Sequence, residues 1–216
     1  MLFLPKTDAM LIEACVESME EALKARDNGA DRIELCSRLD LDGLTPSVDL
    51  VNQVCRNLNI PVMVMIRPRG GDFVYSEEEI RVMEEEIKMA GSAGASGVVF
   101  GLLTSGNHVD VDNCARLAAL AYPLPVTFHK AVDCMEDPAQ GVRELREVNG
   151  ITRILTSGGK PTAREGASKI REMIREAQGK FTILVAGKVT RENVGEIREL
   201  TGATEFHGRK IAGVLT

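Results

Sequence analysis

Along the chain, short runs rich in β-branched and aliphatic residues alternate with longer stretches whose apolar positions recur every three or four residues. The runs at residues 10–16, 32–37, 61–67, 97–103, 124–131, 152–157, 181–186 and 203–207 predict eight strands. The stretches between them predict amphipathic helices. Their apolar faces include Val51, Val54, Cys55 and Leu58; Ile80, Met83, Ile87 and Ala90; Ala167, Ile170, Ile174 and Ala177; and Val194, Ile197 and Leu200. Ser18 with Glu21, Ser76 with Glu79, and Thr190 ahead of Glu192 supply helix start signals, because a hydroxyl and a carboxylate satisfy the free N–H groups of a first turn. Gly29, Gly150, Gly179 and Gly202 follow helical stretches, where a left-handed stop residue is needed.

Strict alternation of this kind requires parallel strands joined by helical crossovers, and eight such units suffice to close a barrel. An open doubly wound sheet would carry a glycine-rich phosphate turn after its first strand, and Cys15-Val16-Glu17-Ser18-Met19 has none. The expected fold is therefore α/β: a single TIM-type (β/α)8 barrel across residues 1–216. Only nine residues follow His207, so the last helix should be short or missing.

Period-two parity then sorts the side chains. With Ile33 and Leu35 facing the helices, Arg32, Glu34 and Cys36 face the barrel axis. Glu13 and Cys15 of the first strand do the same, so two adjacent strands each direct Glu-x-Cys inward near their carboxyl ends. Met63, Met65 and Arg67 follow on the third strand, Thr127 and His129 on the fifth, and Glu205 and His207 on the eighth. Where both faces are apolar or small, in strands four, six and seven, parity assigns nothing. Active sites of barrels sit at the carboxyl ends of the strands.

Composition narrows the functional classes. The net charge of −6 and the absence of a basic stripe argue against nucleic acid, and 4% aromatic residues leave no stacking platform. No apolar run approaches the roughly 18 residues of a membrane span, and the short apolar start lacks the basic flank of a signal peptide. Five widely spaced cysteines do not form a disulfide framework; reduced thiols in a cytoplasmic protein are the simple reading.

Several segments are distinctive: Glu34-Leu35-Cys36-Ser37, Gly43-Leu44-Thr45-Pro46-Ser47, Ile66-Arg67-Pro68-Arg69-Gly70-Gly71-Asp72-Phe73, Val126-Thr127-Phe128-His129, Leu155-Thr156-Ser157-Gly158 and Ala203-Thr204-Glu205-Phe206-His207. In this order they resemble the CutC copper homeostasis family, over nearly the whole chain. The resemblance implies a cytoplasmic TIM barrel concerned with copper, in which Cys15 and Cys36 are Cu(I) ligands. The residues allow that reading, since Cu(I) is soft and favours thiolates and thioethers, and strands about 4.8 Å apart bring paired thiols together. The bland alternative is that both are small core residues, as Cys55 and Cys114 on apolar helix faces should be.

Other residues point to a different chemistry. Arg67 and Arg69, with Asp72, form a forked cationic loop suited to carboxylate or phosphate. Ser157 and Gly158 offer backbone N–H groups to an anion, and Lys188 adds a point charge after the seventh strand. His129, Glu13, Glu34, Glu205 and His207 supply acid–base groups. The alternative to copper binding is therefore a barrel enzyme acting on a small anionic substrate. Finally, the missing eighth helix should leave Ile12, Ala14 and Phe206 thinly covered. Either the residues before Met10 or a second copy of the chain would cover them; the expectation is a homodimer, which the resemblance also implies.

Overall fold

A computed structural model describes residues 10–215. Eight parallel strands form a closed barrel in sequence order: β1 (Leu11–Val16), β2 (Arg32–Leu35), β3 (Val62–Met65), β4 (Gly97–Phe100), β5 (Val126–Phe128), β6 (Ile151–Thr156), β7 (Thr182–Val185) and β8 (Glu205–Gly208). Seven helices cover it: α1 (Met19–Asp27), α2 (Val48–Asn57), α3 (Glu77–Ser92), α4 (Val111–Ala121), α5 (Pro138–Leu145), α6 (Ala163–Ala177) and α7 (Val194–Thr201). Closure comes from pairing of β1 with β8, in which Glu13 sits opposite His207.

The predicted parity holds. Ala14, Val16, Ile33, Leu35, Val64, Val98, Phe128 and Phe206 pack outward against the helices in one continuous core. Inside the barrel lie two smaller clusters, Cys15, Cys36, Met63, Met65 and Val99 on one side and Leu155, Leu184 and Ala186 on the other. These clusters resolve the strands whose parity the sequence left open: Val99, Leu155 and Leu184 point inward. Gly97 has no side chain because a Cβ there would stand 2.2 Å from Met63 Cε and 2.7 Å from the Pro125 carbonyl.

Local signals set the helix ends. Ser18 accepts from the Glu21 N–H at 3.1 Å, and Ser76 with Glu79 completes a reciprocal capping box. At α7 the expected Thr190 start gives way to Asn193 as the capping position, with the Asn193 side chain accepting from the Thr190 N–H. Most strands are shorter than the apolar runs imply. The fifth stops at Phe128 because His129 Nδ1 takes the Ala131 N–H and starts a 3-10 turn, Lys130–Cys134.

No helix follows β8 among the described residues. Instead Ile211, Ala212 and Leu215 fold into the outer core. The expectation of thin cover is corrected at two of its three residues: Ala14 and Phe206 are fully buried, and only Ile12 is half-buried. A tail needs no helical hydrogen bonds to remove apolar surface from water. The proposed cover by residues before Met10 lies outside the described residues.

Candidate metal and ligand site at the barrel mouth

The interior polar side chains form one connected line from the bottom of the barrel to its mouth. At the bottom, Arg153 Nε donates to Glu205 Oε2 at 3.2 Å and Arg32 Nη2 to the same oxygen at 2.6 Å. Arg32 also pairs with Glu13. Glu13 Oε1 then meets His207 Nδ1 at 2.8 Å, and His207 Nε2 stands 3.6 Å from Glu34 Oε2. Glu34 adjoins Cys15, whose sulfur lies 3.5 Å from that of Cys36.

Burial and charge set the protonation of this line. Burial alone would raise the Glu13 carboxyl, but the His207 hydrogen bond and the Arg32 charge outweigh it and hold the group down at about 2. Burial likewise opposes charge on His207, yet Glu34 and Glu13 keep its pKa above the ordinary value. Glu34 has no guanidinium of its own, and burial pushes its carboxyl up. The Cys15 thiol is pushed far up by its hydrogen bond with Cys36, by burial and by the Glu34 carboxylate. Cys15, Glu34 and Cys36 form one possible metal-holding group, and Glu13, Glu34 and His207 a second that shares Glu34.

Above the thiols opens a cavity of about 480 Å³ lined by Cys15, Glu34, Met65, Arg67, His129 and His207, with Leu39, Asp42, Phe73, Lys130, Asp133 and Cys134 around its rim and Leu155 on the far wall. Arg67 is buried and donates to the carbonyls of Leu41, Gly43 and Gly71 at 2.8, 3.1 and 3.1 Å. Its guanidinium stacks over Phe73 at 5.0 Å. Since His129 Nδ1 accepts the Ala131 N–H at 3.2 Å, the ring proton of the neutral imidazole is on Nε2. Burial, with the Arg67 charge, lowers the His129 pKa to about 3.

Not every expected site residue reaches this mouth. Glu205 and Glu13 lie below it, neutralised by arginines, because β8 and β1 present these positions early in each strand. At His129 the acceptor nitrogen Nδ1 is taken by the Ala131 N–H, which leaves Nε2–H as the ring group without a partner among the described residues. Arg69 turns outward to Glu79, Asp72 and the Val74 carbonyl, so Arg69 and Asp72 brace the loop rather than face the cavity. Lys188 is exposed and away from the lining.

The amides of the loop after β6 are spent within the chain, Gly158 N–H on Thr156 Oγ1 and its two neighbours on Asp133. Asp133 accepts from the N–H groups of Ser157 at 2.9 Å and Gly159 at 2.8 Å and from Thr156 Oγ1 at 2.5 Å. Gly158 is needed for packing: its φ is +71° and a Cβ would stand 2.5 Å from the Gly166 carbonyl in α6. Sequence reasoning missed Leu39, Asp42 and Lys130 at the rim. Phe73 was visible within the Arg67–Phe73 motif, but nothing in its spacing showed that it roofs Arg67.

The sequence pattern of the CutC family matches residues 10–212. The chain belongs to the CutC family. A human protein named copper homeostasis protein cutC homolog is 46% identical over 200 residues, 93% of this chain and 73% of that protein. A CutC family protein of Histophilus somni is 41% identical over 198 residues, 92% of this chain and 81% of its own length. The crystal structure of a CutC protein from Streptococcus agalactiae superposes with a TM-score of 0.87 at 35% identity, covering 94% of this chain and 99% of that one. More distant barrels, such as an aldolase at 14% identity and a TM-score of 0.69, share the fold alone. No helix among the described residues of this CutC chain is long and apolar enough to cross a membrane.

Proposed function

We propose that this CutC protein serves copper homeostasis by binding Cu(I), as cargo, at Cys15 and Cys36. The observation that carries this is the 3.5 Å separation of two buried free thiols, Cys15 on the wall of an open cavity and Cys36 directly behind it. Soft thiolate and thioether donors select Cu(I), and Met63 and Met65 belong to the same interior cluster. With metal–thiolate bonds of about 2.3 Å, sulfurs at this spacing enclose roughly 100° at the ion, which leaves space for a third donor. Met65, in contact with that cluster, supplies a thioether. The reducing cytoplasm is the compartment in which such thiols persist. A homodimer is part of the same reading.

The test is an anaerobic Cu(I) competition against a chromogenic chelator. The wild-type chain should withdraw Cu(I) stoichiometrically, and the Cys15→Ser, Cys36→Ser double variant should not. Equal affinity in the two proteins, with both folded by circular dichroism, overturns the thiol site.

A further inference from the structure

The Arg67 guanidinium is 3% exposed and meets backbone carbonyls, the face of Phe73 and the Tyr75 side chain. Among the described residues no carboxylate forms an ion pair with it, and its Nε has no hydrogen-bond partner. An isolated buried cation is costly unless an anion accompanies it. His129, 4% exposed on the same cavity, also has an unpartnered donor, Nε2–H. Lys130 stands at the rim with its ammonium 3.0 Å from Ser157 Oγ and 3.4 Å from Asp133 Oδ2, which leaves one of its three N–H groups without a partner among the described residues. Asp133 offers little competition, being held by loop amides.

We propose that the mouth cavity binds a small organic carboxylate, held by Arg67, His129 and Lys130 above the thiol pair. The volume, about 480 Å³, lies within the usual range for small-molecule sites. Leu39, Met65, Phe73 and Leu155 give it apolar walls that would receive the hydrocarbon body of the ligand. The free donors are few: the guanidinium N–H groups left on Nε and Nη2, one neutral imidazole N–H and a shared ammonium. That set matches a monoanionic carboxylate better than a phosphate dianion, and the amide cradle that would suit phosphate is filled by Asp133. This site does not depend on the copper reading, because its anchoring groups lie on β3 and β5 loops and not on the cysteines.

Calorimetric titration of the metal-free full-length chain with isovalerate tests it, with isovaleramide and inorganic phosphate as comparison probes. Isovalerate should bind saturably, while the amide, lacking the charge, should not. Loss of one charge-assisted hydrogen bond should weaken isovalerate roughly ten- to a hundredfold in Lys130→Met and in His129→Phe. Lys130 is half-exposed, so its variant tests the site even where His129→Phe fails to fold. The Cys36→Ser variant, altered at a thiol outside the cavity lining, should bind isovalerate as wild type does, which separates this site from copper. Absence of isovalerate binding, equal binding of the amide, tighter binding of phosphate, or unchanged affinity in Lys130→Met overturns the proposal.

Discussion

Glu13 and His207 are 194 residues apart in the chain and 2.8 Å apart inside the barrel. Their contact spans the β1–β8 seam, so it exists only once the sheet has closed. It also joins the arginine-neutralised bottom of the barrel to the thiol floor of its mouth.

This pairing predicts a pH signature. The Glu13 carboxyl is held at about 2 in the folded protein against an ordinary value of 4.5. Its contribution is therefore complete above pH 4.5 and lost as pH falls toward 2. His207 has a raised pKa, so its contribution is complete below its ordinary value of 6.5 and lost as pH rises through the raised one. Urea midpoints across this range should fall on both sides, and Glu13→Gln should flatten both limbs. At neutral pH, Glu13→Gln should cost about 1–3 kcal/mol, because Arg32 keeps Glu205 while losing one of its two carboxylates and His207 loses its charged acceptor. A pH profile of the variant parallel to that of wild type would contradict this account.

The Asp133 carboxylate predicts a rescue experiment. Asp133→Ala leaves the Ser157 and Gly159 amides and the Thr156 hydroxyl without their acceptor. Each stranded donor costs about 1–3 kcal/mol where water cannot reach it. Thermal unfolding should drop accordingly, and added formate should raise the midpoint of Asp133→Ala more than that of wild type. Equal formate shifts would show that the vacated amides do not bind an anion.

Gly158→Ala should destabilise the barrel without touching a ligand. Its positive φ costs a side chain about 1–3 kcal/mol, and contact with the Gly166 backbone adds about as much again through overpacking. Denaturant unfolding measures this, and a loss below about 1 kcal/mol would mean that α6 shifts freely.

Self-association is read by light scattering. The expected mass is twice 23.5 kDa, and Val214→Asp should reduce it to a single chain if the tail face is the interface. A single-chain mass for wild type removes the dimer.

How much of this was legible in the sequence depends on the range of the interaction. Periodicity, caps and parity are local: Ser76 and Glu79 are three residues apart, and alternate positions of a strand share a face wherever it ends up. The sequence by itself therefore determined the eight-unit barrel and the inward set Glu13, Cys15, Arg32, Glu34, Cys36, Met63, Met65, Thr127, His129 and His207. Only the tertiary structure decided which of these are spent on one another. Arg32 silences Glu13 and Glu205 because closure stacks β8 against β1, and Asp133 fills the Ser157 loop because the 3-10 turn after β5 aims it there. Arg69 leaves the mouth because Glu79 caps α3 within its reach, whereas Arg67, two residues earlier and just beyond β3, is buried without a carboxylate partner. Such choices depend on partners distant in sequence and on which of several competing opposite charges comes nearest in space, and no spacing along the chain encodes that.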